Sequence, residues 1–450
     1  MLALALALAL ALALAACAQP LRLAPDDSDV VLARAGVAPL AAPDPTLRGP
    51  HAVRTLVYGS GTDRRRRAFR DSVTLRTASV DATPFVSMEP GMAASRRKYW
   101  GFDAKAFPVN GRVWYPEGPG PFPLVLVVHG NHDPEDFSDP GYAYLGEHLA
   151  SRGFVLASVD ENFLNGGLRN ENDARGWMLL QHLAAWRRFA DSVDGPLRGR
   201  VDLGRIALMG HSRGGEAVAV AAAFNRLARY PDDATVTLPN GFGIRALVAI
   251  APVDGQYRPA GQPTPVSDVS YLLLHGSHDG DVSSFNGLRQ WQRVRLTPGT
   301  PHVKSAVWMY RANHGQWNTV WGNRDNGRLS ARFLALDALV PAEDQRRMAR
   351  AFVGAFLEAT LRGRREYLPF LRDHRQGAAW LPRAMYHTAY ADASVRALAT
   401  FDTTIDATRG DAPGVTLAGD SLSTWKLAEL PMRWRDQTYR TWGAWLGWNN

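Results

Sequence analysis

Short apolar runs recur through the middle of this chain. Each run is four to six residues long and has no polar alternation, which is typical of strands buried on both faces of a parallel sheet. Runs of this kind lie at 124–128, 154–159, 206–209, 246–250, 271–274 and 306–310. They predict the strands of one central sheet.

Between these runs, apolar positions recur at helical spacing. In the segment 173–191, for example, Trp177, Leu180, Leu183 and Ala184 fall on one face of a helix. Helices are predicted at 142–151, 173–191, 214–227 and 342–361. The repeated alternation of strand and helix predicts an α/β fold with a mostly parallel, doubly wound sheet. Ligands bind such sheets at the carboxyl ends of the strands.

The two flanks of this region have a different texture. Short β-rich runs at 53–58, 72–77 and 111–115 predict an antiparallel lead-in to the sheet. Past residue 390, the segment 400–407 and its Asp/Gly turns predict a small β unit. We therefore expect a main domain over 51–365 with its β lead-in, after a tether at 18–50. A β-rich C-terminal extension over 366–450 would follow, and an incomplete accessory unit is one interpretation of it.

The first 17 residues read as a targeting segment. The apolar run from Leu2 to Ala16 is too short to span a bilayer and fits the core of a signal peptide. It ends in Leu-Ala-Ala-Cys17, which resembles a bacterial lipobox, and Ala18 follows. We expect export, either as a bacterial cell-envelope lipoprotein at the outer membrane or cell surface, attached to the membrane through lipidated Cys17, or as a secreted protein. An uncleaved Ala/Leu helix is the alternative.

Composition narrows the function classes. The chain carries a formal net charge of +8, and its one cysteine excludes an intramolecular disulfide and a cysteine-based metal site. The basic run Arg64–Arg67 reads as a solvated loop without a nucleic-acid-binding module around it, so no nucleic acid is expected as a partner.

One motif joins a predicted strand to a predicted helix. Gly210-His-Ser-Arg-Gly214 is a G-x-S-x-G sequence in the strand–turn–helix context that the motif requires. Such a turn exposes the serine hydroxyl above the sheet, and a side chain at either glycine would collide with neighbouring backbone. Ser212 is therefore the candidate nucleophile.

An acid and a base follow two later strands. Asp279 lies in the polar loop after the run 271–274, and Asp281 in the same loop is the reserve candidate. His314 follows the run 306–310 and suits a general base because the pKa of histidine lies near neutrality. A carboxylate on its other nitrogen would fix the tautomer and stabilise the imidazolium.

This ordered series of Ser212, Asp279 and His314, with His129-Gly130 upstream, resembles the α/β-hydrolase superfamily. Within it, the chain is similar to bacterial secreted esterases of the platelet-activating-factor acetylhydrolase, dienelactone hydrolase and cutinase-like polyester hydrolase groups, over about residues 100–365. The segment 144–155 matches their helix-then-strand pattern.

The resemblance implies a serine hydrolase that cleaves carboxylic esters through an acyl-enzyme, with no metal or organic cofactor. It places the oxyanion hole at the main-chain N–H groups of Asn131 and Arg213. Residues near the site are candidates for the substrate pocket: His129, His132, Phe163, His211 and Trp317.

Three other interpretations compete. A metal-dependent phosphoesterase would recruit His129, His275 and His278, but the further motifs of a two-metal site are missing from the sequence. The string Gly419-Asp-Ser421-Leu opens another class of serine esterase, yet no histidine follows it. A non-catalytic lipoprotein that binds a surface through its Trp-rich C-terminal part is the third.

Overall fold

The computed structural model describes residues 36–168, 171–192, 195–325, 327, 331–402, 404–432 and 438–448. Cys17, the predicted signal peptide and the tether up to residue 35 lie outside these residues. In the described ranges, no helix combines the length and the apolar character needed to cross a membrane.

Fourteen strands form in the described chain, and ten of them make one sheet. The strands are β1 (Val53–Gly59), β2 (Leu75–Arg76), β3 (Asn110–Pro116), β4 (Phe122–Val128), β5 (Val155–Asp160), β6 (Val201–His211), β7 (Arg229–Tyr230), β8 (Asp233–Thr237), β9 (Ile244–Ile250), β10 (Ser270–Gly276), β11 (Val303–Met309), β12 (Tyr386–Asp392), β13 (Thr424–Pro431) and β14 (Thr438–Gly447).

The order across the large sheet is β12-β11-β10-β9-β6-β4-β5-β3-β1-β2. Neighbours from β11 to β5 run parallel, whereas β3 pairs antiparallel with β5, and β1 pairs antiparallel with β3. The predicted α/β fold with an antiparallel lead-in is confirmed.

Eight α-helices accompany these strands in the described chain. They are α1 (Ala68–Asp71), α2 (Pro90–Trp100), α3 (Ala143–Ser151), α4 (Asn172–Asp191), α5 (Arg213–Phe224), α6 (Gly287–Arg293), α7 (Ala342–Leu361) and α8 (Leu368–Arg372). Helices α4 and α5 contribute to the core on one face of the sheet, while α3 and α7 contribute to the core on the other.

Burial on both faces explains the continuous apolar runs. In β4, Leu124, Leu126 and Val128 belong to one core, and the alternating Val125 and Val127 belong to the other. All five are fully buried. Burying each such side chain contributes about 1.5–3 kcal/mol, so a polar residue at any of these positions would weaken the sheet. The strand ends are thereby held rigidly, which matters for the loops that follow them.

The C-terminal part differs from the prediction in detail. Strand β12 pairs antiparallel with β11, so the large sheet continues past residue 365, the limit expected for the main domain. The segment 400–407, where the small β unit is expected to begin, forms no strand in its described residues. A local turn forms at its end, since the carboxylate of Asp406 accepts hydrogen bonds from the N–H and hydroxyl of Thr408, at 2.9 and 2.5 Å. The strands of this region are instead β13 and β14, which pair antiparallel as a separate sheet.

Candidate active site

The turn after β6 holds Ser212 in a strained conformation. Its φ is +59° and its ψ is −123°, an arrangement that L-residues rarely adopt and that costs on the order of 1–3 kcal/mol. The N–H of Ser212 donates to the carbonyl of Ile250 at 2.9 Å, which ties the turn to the end of β9. Helix α5 begins at the next residue. Strain kept in place by surrounding structure is typical of functional sites.

The two glycines of the motif make this turn possible. A Cβ added to Gly210 would lie 1.9 Å from the carbonyl oxygen of Gly214. A Cβ added to Gly214 would lie 2.6 Å from the carbonyl oxygen of Val128. Both distances are far below van der Waals contact, so the strand, turn and helix pack closely only with glycine at both positions.

Asp279 and His314 meet although 35 residues separate them. Nδ1 of His314 and Oδ2 of Asp279 lie 2.8 Å apart, and both side chains are almost fully buried. The other carboxylate oxygen of Asp279 accepts from the main-chain N–H of Asp281 and Val282, at 3.0 and 2.6 Å. The carboxylate is therefore fixed in place, and it orients the imidazole.

Asp281 lies on the opposite side of the same ring. Its Oδ2 is 3.5 Å from Nε2 of His314, and its side chain is 42% exposed. Burial by itself lowers the pKa of His314, but the charge and hydrogen bond of Asp279 and the charges of Asp281 and Asp325 outweigh it. The net effect raises the pKa of His314 to about 9.

Asp325 cross-links the acid loop to the histidine loop. Its Oδ2 accepts from the N–H of Gly280 at 3.0 Å and of His314 at 2.9 Å. Its Oδ1 accepts from the N–H of Gly315 and the side-chain amide of Asn313, both at 2.9 Å. Burial raises the pKa of this carboxyl group. Sequence reasoning missed Asp325, because it stands in no motif and its four partners are distant or main-chain groups.

His211 connects the Ser212 turn to His314. Its Nε2 lies 3.0 Å from the carbonyl oxygen of His314, its Nδ1 lies 3.0 Å from the hydroxyl of Tyr142, and the two imidazole centroids are 4.9 Å apart. Burial lowers the pKa of His211 well below its ordinary value, so the ring is neutral. With both nitrogens engaged and no exposed surface, His211 holds the two loops together and does not line a pocket as predicted.

The loop after β4 packs directly onto the nucleophile turn. A Cβ added to Gly130 would lie 2.5 Å from the Cβ of Ser212 and 3.0 Å from the main-chain nitrogen of Arg213. Only glycine permits this approach, which brings the adjacent Asn131 beside the turn. The Asn131 side chain accepts from the N–H of Gly166 at 3.1 Å, and this fastens the loop.

His129 supports this loop from below and is a second correction to the predicted pocket. It is fully buried; its Nδ1 lies 2.8 Å from the carbonyl oxygen of Gly130, and its Nε2 accepts from the N–H of Glu161 at 3.1 Å. Burial lowers its pKa to about 3, so the ring stays neutral with its proton on Nδ1. The ring holds the loop and does not face a ligand.

The Arg213 side chain points toward a different loop. Its Nη1 donates to Oε1 of Glu171 at 2.7 Å and to the carbonyl oxygen of Leu168 at 3.0 Å. The guanidinium therefore anchors the first turn of α5. The main-chain N–H of Arg213, and not its side chain, lies beside Gly130.

A cavity of about 500 Å³ opens beside His314. His132 and Trp321 line it with their rings parallel, 5.1 Å between centroids and 6° between planes. Trp321 is also parallel to His314, at 5.9 Å and 9°, and its indole N–H donates to the hydroxyl of Ser138 at 2.9 Å. Of the predicted pocket residues, His132 is the one that lines this cavity. Trp321 was missed, because its proximity arises from a loop of irregular structure.

Phe163 and Trp317 lie elsewhere, which corrects the remaining pocket predictions. Phe163 packs against Phe107, with centroids 4.7 Å apart, and lines a separate cavity of about 200 Å³ beneath α2. Trp317 is fully buried in the core under α7. Phe163 and Trp317 are each near a loop of the site in the sequence. Nearness in the sequence does not determine the direction in which their rings point.

The histidines considered as metal ligands are engaged in other contacts. Nε2 of His275 lies 2.8 Å from the carbonyl oxygen of Val282, and Nδ1 of His278 lies 2.7 Å from the hydroxyl of Ser277. In the described parts of the chain, no group of three or more His, Cys, Asp or Glu side chains is arranged to hold a metal ion.

Comparison with known proteins agrees with the fold. The chlorophyllase family matches residues 103–269, a range that contains β4, the Ser212 turn and the loop between them. The chain has the α/β-hydrolase fold. Asp279 and His314 lie beyond the matched range, so the match does not bear on them.

Curated proteins similar to this chain include a bis(hydroxyethyl) terephthalate hydrolase from Streptomyces coelicolor, 34% identical over 110 residues, covering 24% of this chain and 31% of that protein. Cutinase 2 from Thermobifida cellulosilytica is 28% identical over 185 residues, covering 37% of this chain and 64% of the relative. Cutinase cut1 from Thermobifida fusca is equally similar over 185 residues, which cover 53% of its length. The chain thus spans between about a third and two thirds of these relatives.

Proposed function

We propose that this protein hydrolyses carboxylic esters, with Ser212 as nucleophile, His314 as general base and Asp279 as the acid that orients it. The observation that carries the proposal is the buried 2.8 Å contact between Asp279 and Nδ1 of His314, which directs Nε2 away from the acid. His211, the residue before Ser212, contacts the His314 main chain. Similarity to proteins named cutinase and terephthalate-ester hydrolase supports the substrate class.

The mechanism follows from these positions. Ser212 Oγ attacks the ester carbonyl carbon while His314 takes the hydroxyl proton on Nε2. The main-chain N–H groups of Asn131 and Arg213 stabilise the negative charge that develops on the carbonyl oxygen. The close approach of Gly130, the neighbour of Asn131, to the Arg213 nitrogen supports this assignment. The carbon–oxygen bond then breaks, and His314 returns the proton to the leaving alcohol. Water attacks the acyl-enzyme with the same base and releases the acid.

Replacing Ser212 with alanine tests this proposal. We expect kcat/KM for a neutral p-nitrophenyl ester to fall at least about a thousandfold, because the covalent step is removed. Ser421→Ala is the matched control, since Ser421 is exposed and lies in the other serine-esterase string of the chain. Retention of activity in Ser212→Ala would contradict the proposal.

We also propose that the protein is exported and attached to the membrane through lipidated Cys17, as the lipobox-like sequence indicates. Metabolic labelling with a radioactive fatty acid should mark the wild-type protein and leave Cys17→Ala unmarked. Equal labelling of both would contradict lipidation at this cysteine.

A second function, binding to a surface without catalysis, is favoured by the C-terminal β13–β14 pair. Trp442, Trp445 and Trp448 are 42%, 41% and 65% exposed there, which is unusual for such large apolar side chains. Folded protein whose Ser212 does not react with a fluorophosphonate would favour this function over hydrolysis.

A further inference from the structure

We propose that the cavity beside His314 selects substrates by charge: it accepts neutral and cationic esters and disfavours esters whose acyl chain carries a carboxylate. The inference rests on the proposed function, because it concerns substrates of the same site. The inference specifies the charge of the part of the substrate that occupies the cavity. The type of bond that is cleaved is the subject of the proposed function.

Carboxylates dominate the charged groups of this cavity. Among the described residues, four aspartates and one arginine, Arg324, line it. Asp133 and Asp136 come from the loop after β4, and Asp281 comes from the loop after β10. The fourth is Asp325, on the segment that follows the His314 loop. Three separate segments therefore direct negative charge into one space.

These carboxylates differ in how much of their charge is compensated. Asp325 is 6% exposed and is surrounded by four N–H donors, so its charge is locally balanced. Asp136 and Asp281 have side chains 64% and 42% exposed and accept no comparable set of hydrogen bonds. Asp133, also exposed, accepts from one main-chain N–H, that of Glu135. In the described part of the cavity, three open carboxylates thus face the one guanidinium of Arg324.

Neighbouring histidines do not remove this excess. His132 is near Asp136, with Nδ1 to Oδ2 at 3.9 Å, but burial lowers the pKa of the ring, so it is neutral near pH 7. His211 is neutral and fully buried behind the site. A protonated His314 would offset one carboxylate. Its charge is lost in the form that acts as a base, so the reactive state of the site carries the larger negative charge.

The cavity also reaches the proposed base. His314 is 3% exposed and lines the cavity, and among the described residues its Nε2 has no hydrogen-bond partner. This nitrogen takes the Ser212 proton in the proposed mechanism, so a substrate in the cavity lies beside the reacting groups. Because Asp281 lies 3.5 Å from that nitrogen, an entering carboxylate would meet a like charge at short range.

The negative charge of the open aspartates also acts on the product. Ester hydrolysis at Ser212 converts a neutral acyl group into a carboxylate beside the cavity, and the open aspartates repel it. Selection against anionic substrates and release of the anionic product therefore have one cause. A diester would be a better substrate than the monoester that remains after its first cleavage.

Three p-nitrophenyl esters of similar length test the proposal: the neutral butyrate, the anionic monoester of glutaric acid, and a cationic butyrate with a terminal trimethylammonium group. At one pH and about 10 mM salt, we expect kcat/KM to decrease from cationic to neutral to anionic. The expected gap between the two extremes is on the order of tenfold or more. At about 1 M salt, where screening acts within roughly 3 Å, the three values should converge.

The double variant Asp133→Asn/Asp136→Asn removes two open charges without touching Ser212, Asp279 or His314. We expect it to reduce the gap several-fold at low salt, measured as the ratio of the kcat/KM values for the cationic and anionic esters in the same variant. Asp233→Asn, an exposed aspartate of β8 outside the cavity, is the matched control and should leave the gap intact.

The outcomes separate this inference from the proposed function. Equal rates for all three esters at low salt, or a gap that the double variant leaves intact, overturn charge selection while Ser212-dependent hydrolysis still stands. If none of the esters is hydrolysed through Ser212, the proposed function fails, and the substrate preference fails with it.

Discussion

The second carboxylate beside His314 leads to a prediction about pH. Asp281 lies 3.5 Å from Nε2 of His314 and stabilises the protonated ring, whose pKa is raised to about 9. Replacing Asp281 with asparagine keeps the size of the side chain and removes the charge. We therefore expect the pKa of His314 to fall, because the imidazolium loses a stabilising partner while Asp279 remains in place.

The magnitude follows from the distance. At 3.5 Å, Coulomb's law gives an attraction between the two charges of about 1.2 kcal/mol in a medium with the dielectric constant of water. The attraction is about twice as large where the dielectric constant is half that of water. Since Asp281 is 42% exposed, the lower value applies, which corresponds to about one pKa unit. Other groups around the ring stay unchanged in the variant: Asp279, Asp325, and the neutral His211, His132 and His275.

The assay is the pH dependence of kcat/KM for a neutral ester, which reports the free enzyme. Only the neutral form of His314 accepts a proton, so activity should rise with pH through about 9 in the wild type and through about 8 in Asp281→Asn. At pH 7.5 the fraction of neutral His314 would be about eightfold larger in Asp281→Asn than in the wild type. The resulting gain in activity is partly offset, because a ring with a lower pKa is a weaker base. Asp136→Asn, in the same cavity but not in contact with the ring, is the control. An unchanged midpoint in Asp281→Asn would refute the reasoning.

Two further predictions concern residues that hold the site in shape. Asp325→Ala leaves three main-chain N–H groups and the Asn313 amide without their acceptor, so we expect the free energy of unfolding in urea to fall by about 3 kcal/mol and kcat to fall at least about tenfold. A variant with wild-type stability and kcat would contradict the role given to Asp325. Gly210→Ala places a Cβ 1.9 Å from a main-chain oxygen, and it should lower stability by at least about 3 kcal/mol or prevent folding, as circular dichroism on heating would show. Unaltered melting of Gly210→Ala would mean that the turn is not built as described.

The main sheet was predictable because its strands are buried on both faces. Each apolar run at 124–128, 246–250 and 271–274 lies inside an observed strand, extended by two residues or fewer at each end. Strand β12 was missed for the opposite reason. It lies at the edge of the sheet with polar residues along it, such as His387 and Thr388, so no apolar run marks it.

The site was predictable as far as strand ends define it. Asp279 and His314 follow consecutive parallel strands, and the ends of such strands meet at one edge of the sheet. What surrounds them was not predictable, because it depends on which way side chains of irregular loops point. Asp325 and Trp321 enter the site from such a loop, whereas His129 and Trp317 turn into the core.

The central claim is that Ser212 is a nucleophile activated by His314. Mass spectrometry of peptides after reaction with a fluorophosphonate tests it directly, since the reagent bonds to an activated serine and remains attached. The account predicts one adduct, on the peptide that contains Ser212, and its near-complete loss in His314→Ala that is still folded. An adduct on another serine, such as Ser421, or equal labelling of Ser212 without His314, would contradict it.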